Sequence, residues 1–469
     1  DEIMRIESDS MGEMKVPIDA LYGASTQRAV LNFPISNQQL NKEFISAFGL
    51  IKWASAVANG KLGIISEDKM NVISTAAEEV FVGILDNHFP VDIYQTGSGT
   101  STNMNVNEVV SNRCAQILGY DLETNKDDKP IHPNNDVNQS QSSNDTFPTA
   151  MHISIAVQLK NYLIPELELL RDSLVKKEKE FSKILKIGRT HLMDATPVTL
   201  GQEFGGYAAQ IDKSLERAKK AFEILLELPL GGTAVGTGLN CHKDFPKIAI
   251  DFISNKTGIS FKEAKNHFEA QASKDSVVEC HGYLVAINTS LFKIANDIRL
   301  MSSGPRCSLG EIKLPETQPG SSIMPGKVNP VMSEAVTMIA ARVFGNQSTI
   351  TWAGANGHLE LNVFMPVMIS AILESVNLTS NGCKIFRTKC IDGIEPCIER
   401  CNSLIEQSLS MVTSLAPIIG YDLASLIAKE SIETDKTVRE ICIERINELG
   451  ITLEELEKIL NPANMAGIN

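Results

Sequence analysis

The chain has 469 residues, 43% of them apolar and 6% aromatic, with 43 Lys and Arg against 57 Asp and Glu. That length provides for about two to four domains and a large core, and the low aromatic content suits helix packing better than a sandwich or propeller. The formal net charge of −14 argues against nucleic acid or an anionic membrane surface as a partner, although a pocket of converging cations and amide donors can still bind a small anion.

The nine cysteines include no CxxC pair; Cys397 and Cys401 share one helical face and read, like the rest, as free thiols of a reducing compartment. No metal site is expected: HExxH is absent and the eight histidines are dispersed. The first residues are charged, so no signal peptide is visible, and no apolar run is long enough to span a membrane. A leader ahead of residue 1 is left open.

Residues 1–40 read as short extended pieces and turns, with a loop at 22–28. Helical periodicity follows at 44–62 and 68–85. A Gly/Ser/Thr loop, Gln95-Thr96-Gly97-Ser98-Gly99-Thr100-Ser101-Thr102, runs into a helix expected from Asn103 to Leu118, and its hydroxyls and free N–H groups suit a carboxylate. Residues 132–145 are almost all amides and hydroxyls, a composition that cannot build a core and suits a binding loop. Five long helical segments come next, at 151–185 with a kink expected at Pro165, then 198–228, 273–301, 331–350 and 363–381 with Gly382 placed to end the last. Helices of about 30 residues reach about 45 Å, which points to a long bundle burying its remaining faces between subunits. Gly188-Arg189-Thr190-His191-Leu192-Met193-Asp194 forms a polar loop between the first two, and residues 231–240 form a Gly-rich turn. Short amphipathic pieces beyond 390 suggest a small C-terminal helical domain.

The stretch around which the others gather is Pro319-Gly320-Ser321-Ser322-Ile323-Met324-Pro325-Gly326-Lys327-Val328-Asn329-Pro330. It puts hydroxyls, a cation and a carboxamide on one Gly/Pro-punctuated loop, with Asn329 and Pro330 placed to open a helix. It is no nucleotide P-loop, because the glycine spacing is wrong and Val328 follows Lys327.

These loops resemble, in order and over essentially the whole chain, the motifs of the class II (iron-independent) fumarases of the fumarase/aspartase superfamily: Gly-Ser-Gly-Thr, His-Pro-Asn with Ser-Gln-Ser-Ser-Asn-Asp, Gly-Arg-Thr-His, and Gly-Ser-Ser-Ile-Met-Pro-Gly-Lys-Val-Asn-Pro. The resemblance implies a mainly helical, three-domain subunit with a long central bundle, divided here near 1–141, 142–390 and 391–469, and a homotetramer whose active sites each draw on three subunits. It implies reversible anti addition of water to fumarate, giving L-malate, with no cofactor. Ser321 then maps to the base at C3, and Lys327 and Asn329 to donors for the aci-carboxylate, whose stabilisation should dominate catalysis. His191 maps to the residue that handles the leaving hydroxyl, with Thr190 beside it and Glu334 as the partner of that histidine. Ser98, Thr100, Ser142, Ser143 and Asn144 map to carboxylate-binding donors. A second dicarboxylate site maps to His132, Asn134 and Asn135, with Lys129 nearby; Asn135 stands where relatives usually carry Asp. The compartment implied is the cytoplasm or the mitochondrial matrix.

Aspartate ammonia-lyase is the alternative within the superfamily. That branch typically has Gln after Gly-Arg-Thr and reads Gln-Ser-Thr-Asn-Asp, whereas this chain has His191 and Gln141-Ser142-Ser143-Asn144-Asp145, which favours hydration. Against an inert structural bundle stand Ser321, Lys327, Asn329 and His191, all present.

Overall fold

The computed structural model describes residues 2–321 and 323–468; Ser322, one of the two hydroxyls of the 319–330 loop, lies outside the described residues. Among those described, nineteen α-helices make up most of the chain and the strands form only two-stranded pieces, so the mainly helical reading holds.

The chain opens with an antiparallel hairpin, β1 (Met4–Asp9) and β2 (Gly12–Pro17). Helix α1 (Ala24–Asn32) occupies the stretch expected to be a loop. Its cap comes from far away: the buried Glu108 carboxylate accepts the N–H groups of Ser25 and Thr26 at 3.1 and 3.0 Å. Helices α2 (Lys42–Lys61), α3 (Glu67–Phe81) and α4 (Thr100–Ile117) follow, α4 starting earlier than its periodicity suggested.

Helix α5 (Ser143–Gln158) passes through one π-turn (Leu159–Leu163) into α6 (Ile164–Glu180). This is the form taken by the irregularity expected at Pro165. Proline has no N–H to give, and the Ile164 N–H bonds the Leu159 carbonyl in a wider turn. The polar loop expected around His191 is instead a hairpin, β3 (Leu185–Thr190) and β4 (Met193–Thr199).

Next come α7 (Leu200–Ile224), α8 (Phe245–Thr257), α9 (His267–Ala272), α10 (Asp275–Met301), α11 (Val331–Ala355) and α12 (Met365–Lys389). Helix α12 does not stop at Gly382; the glycine faces Ile339 of α11, so close helix contact carries it onward. Short helices α13 (Ile398–Gln407), α14 (Ala416–Ile419), α15 (Tyr421–Thr434), α16 (Val438–Glu444), α17 (Ile446–Leu449), α18 (Leu453–Ile459) and α19 (Pro462–Met465) complete the chain. Ile405, Met411, Leu415, Ile427, Val438, Ile441 and Leu456 form their shared core.

The chain divides into two compact units, with divisions falling inside α6, α7, α10, α11 and α12. The first comprises Asp1–Pro165, Glu216–Ala286 and Ala341–Ser380. Its centre is a cluster of Phe44, Phe48 and Phe147, with ring centroids 4.7–6.0 Å apart. The second comprises Glu166–Leu215, Ile287–Ala340 and Asn381–Asn469. Here the buried Glu311 carboxylate receives Arg189 of β3 at 2.8 Å and Lys186 at 3.5 Å, and Lys186 also pairs with Glu203 at 2.8 Å. These bonds anchor β3 at both ends, Lys186 near the open end of the hairpin and Arg189 near its turn.

Candidate active site

In the first unit two helix starts come together. Gly99 caps α4 with φ +76°, and a Cβ there would lie 2.0 Å from the Phe147 ring of α5, so glycine alone lets the two helices approach this closely. The hydroxyls at the two starts form a chain: Ser98 Oγ to Thr100 Oγ1 is 2.8 Å, and Thr100 Oγ1 to Ser143 Oγ is 2.8 Å. Free backbone N–H groups at helix starts favour an anion, and three hydroxyls able to reorient add donors.

Ser142 caps α5 through its hydroxyl oxygen and keeps its O–H to donate. Its Oγ accepts the Asn144 N–H at 3.1 Å while Asp145 accepts the Ser142 N–H at 2.9 Å, a reciprocal cap on α5. The other oxygen of Asp145 accepts the N–H groups of Gly231 and Thr233 at 2.9 and 3.0 Å, and Asn144 Nδ2 donates to the Ala234 carbonyl at 2.8 Å. The Gly-rich turn is thereby tied to the start of α5. Burial pushes the Asp145 carboxyl up, and the three backbone donors and Lys52 oppose that push.

In the second unit, Ser321 Oγ accepts the backbone N–H groups of Ile323 and Met324 at 3.1 and 3.4 Å. The loop is pinched at its ends: a Cβ on Gly320 would lie 1.8 Å from the Lys327 carbonyl, and Asn329 Nδ2 donates to the Gly320 carbonyl at 3.0 Å. Two backbone donors aimed at one hydroxyl oxygen stabilise its alkoxide. The cation expected to help, Lys327, is exposed and makes no side-chain bond to Ser321 among the described residues.

His191 and Leu192 form the two-residue turn of the β3–β4 hairpin, both with positive φ, +58° and +62°. Such a turn matches the strand twist but normally selects Asn or Gly. A histidine and a leucine held there are strained, and both project as exposed side chains. Thr190 ends β3 and is exposed. Glu334, in the first turn of α11, is exposed and forms no bond to His191 among the described residues.

At the expected second dicarboxylate site, His132 Nδ1 accepts the N–H groups of Asn134 and Asn135 at 3.2 and 3.1 Å, the same donors the resemblance offers to a ligand. Burial, with a smaller contribution from Lys126, holds this imidazole below the usual histidine range and so keeps it an acceptor. Lys129 is turned inward, bonded to Glu7 and Asn112 at 3.1 and 2.9 Å.

The sequence profile of the family described as Lyase matches residues 12–345, and that described as Fumarase C C-terminus matches residues 411–467. Over 462 residues the chain is 48% identical to fumarate hydratase class II 2 of Bradyrhizobium diazoefficiens, spanning 98% of this chain and 96% of that one. The chain belongs to the class II fumarate hydratases. The chain is also 48% identical over 466 residues to the mitochondrial fumarate hydratase of Saccharomyces cerevisiae, covering 99% of this chain and 94% of that one. The crystal structure of class II fumarase from Schistosoma mansoni superimposes on it with a TM-score of 0.93 at 37% identity, over 99% of each chain.

Sequence reasoning passed over one buried group of this class II fumarate hydratase, Lys52. Its position one helical turn from Phe48, on the apolar face of α2, was the available signal.

Proposed function

We propose that the chain catalyses the reversible anti hydration of fumarate to L-malate, with Ser321 as the base. The observation that carries the assignment of the base is the pair of backbone N–H groups on Ser321 Oγ. In the malate-to-fumarate direction the Ser321 alkoxide takes the C3 proton. The electron pair of that C–H bond forms the carbon–carbon double bond through an aci-carboxylate intermediate. The hydroxyl then leaves as water, protonated from the His191 side. Lys327 and Asn329 face the carboxylate that gains charge, and Glu334 orients His191. Ser98, Thr100, Ser142, Ser143 and Asn144 hold the other carboxylate, with Ser142 also capping α5.

The site is assembled from three subunits of a homotetramer. Helix α11 supports this reading: Met338 and Trp352 are 67% and 73% exposed, Phe344 is exposed, and Met338, Gly345 and Trp352 recur at seven-residue steps on an uncharged stripe with Ala341. Such a seam suits knob-into-hole contact between copies. A dicarboxylate at His132, Asn134 and Asn135 would replace the imidazole as acceptor of the two N–H groups. Nine free thiols fit residence in a reducing compartment, cytoplasm or mitochondrial matrix.

The test is the ultraviolet absorbance of fumarate after enzyme is added to L-malate, with L-aspartate in parallel and a chelator in both. Absorbance from malate alone, unchanged by chelator, is expected. Absorbance from aspartate alone would assign an ammonia-lyase instead.

A further inference from the structure

Lys52 is wholly buried in the middle of α2, yet among the described residues its ammonium meets no carboxylate in its hydrogen bonds. Nζ donates to three neutral oxygens: Asn103 Oδ1 at 2.7 Å, Gln141 Oε1 at 2.9 Å and Asn138 Oδ1 at 3.2 Å. Asn103 stands one turn into α4, on the same helix start as Thr100; Gln141 and Asn138 belong to the loop that delivers Ser143 and Asn144 to the start of α5. The surrounding amides are oriented by this cation. Asn138 Oδ1 also takes Asn103 Nδ2 and Asn107 Nδ2 at 3.1 and 3.2 Å, so three donors converge on one oxygen. Asp145 on α5 is the charged group that acts on Lys52, and its own oxygens are occupied by backbone N–H groups.

A buried ammonium without a paired carboxylate carries a heavy desolvation penalty, and an apolar side chain of similar volume would serve stability at least as well. The place where the penalty is accepted is the junction of the two loops that hold the Ser98–Thr100–Ser143 hydroxyl chain. We propose that Lys52 is a positioning residue of the dicarboxylate site, clamping the entry loops of α4 and α5 together and supplying beneath them a positive charge that favours the bound dianion. The proposal rests on the reading of those hydroxyls as a carboxylate site. Burial also draws the Lys52 ammonium down to about 7, so its charge is lost within the range where the enzyme can be assayed. A dianion binds the protonated form better, and affinity therefore falls as pH rises through that value.

The experiment uses the full chain, with L-malate as substrate and succinate, a dicarboxylate that cannot lose water, as inhibitor. For the wild type the succinate inhibition constant is expected to rise about tenfold between pH 6 and 9, in line with one ionisation. Lys52→Met is expected to raise KM for malate roughly tenfold or more, with a smaller fall in kcat, and to abolish the pH dependence of succinate binding. Lys52→Arg, whose cation does not titrate, is expected to flatten it with tight binding retained at pH 9. A flat succinate profile in the wild type overturns the proposal even if neither variant folds. So does an unchanged pH limb in a folded Lys52→Arg, or a folded Lys52→Met with KM within twofold of the wild type. A wild type that binds no dicarboxylate at any pH removes the carboxylate reading itself, and the proposal with it.

Discussion

A serine hydroxyl takes a proton from carbon only where its alkoxide is strongly stabilised. At Ser321 the stabilisers visible within one chain are the backbone N–H groups of Ile323 and Met324, and the Lys327 side chain is not among them. Backbone donors on a loop pinched at Gly320 and Asn329 need no reorganisation when charge develops, which is the condition for electrostatic catalysis. Ser321→Ala is expected to lower kcat by roughly 10²–10⁴-fold, the usual range for a general base, with KM changed little. Fumarate absorbance under saturating malate measures it; a kcat within threefold of the wild type would rule Ser321 out as the base. The residue scale also shows what an isolated motif hides. Ser142 and Ser143 are neighbours of identical chemistry, but the Ser142 oxygen accepts the Asn144 N–H at the cap of α5 while Ser143 joins the hydroxyl chain.

Helix starts, more than helix interiors, organise this molecule. Helices α4 and α5 meet because Gly99 leaves room for Phe147, and α5 is held to the Gly-rich turn through Asp145. Gly99→Ala brings two penalties at once, a positive φ and a Cβ inside the ring's contact distance. It is expected to destabilise the fold by about 2–4 kcal/mol and to raise KM, because the Ser98 and Thr100 hydroxyls move with the cap. Thermal unfolding with malate kinetics on the same preparation checks both parts. An unchanged Tm would mean the helix starts can separate without strain. Long helices were legible in the sequence because a 3.6-residue apolar period is a local property of the chain. Helix α1 and the β3–β4 hairpin were not: one is capped by Glu108 from another helix, and the other is anchored through Arg189 and Lys186 to Glu311.

At the scale of the whole molecule, the question is what the exposed face of α11 is for. Within a single chain a Cβ on Gly345 meets nothing within 4 Å, so a large side chain there is compatible with the folded subunit. If α11 forms the seam of the proposed tetramer, Gly345→Arg is expected to leave helical content intact while preventing assembly and abolishing malate turnover. Sedimentation shows the assembly; an active variant of unchanged size would place the interface elsewhere. A second global property is acid stability. Burial draws His281 down to about 4, where its ring bonds Gln347 and Ser375 at 2.6 and 2.7 Å. Its unfolded counterpart titrates near 6.5, so this stability is fully present above that pH and is lost as pH falls toward 4. By pH 5 the loss is roughly 2 kcal/mol. The buried Glu108 and Asp145 carboxyls are pushed up by burial and act in the opposite sense, so the histidine share is read as a difference. A His281→Gln variant is expected to lose less stability than the wild type between pH 7 and 5, measured by urea unfolding. Equal losses would mean His281 is protonated without penalty.

The sequence by itself determined the helical class, the order of the long helices and the motifs that contain Ser98, Thr100, Ser143, His191 and Ser321, because periodicity and motif are both written in neighbouring residues; it placed the starts of α4 and α5 too late and read the β3–β4 hairpin as a loop. Only the tertiary structure decided which hydroxyls bond one another and which cap a helix, and that His191 stands at a strained hairpin turn. It alone placed a buried lysine between the residues that lead into α4 and α5. The Thr100–Ser143 link and the Lys52 bonds join residues 43 to 89 positions apart, and a hydrogen bond made across such a distance leaves no local period for a sequence to display.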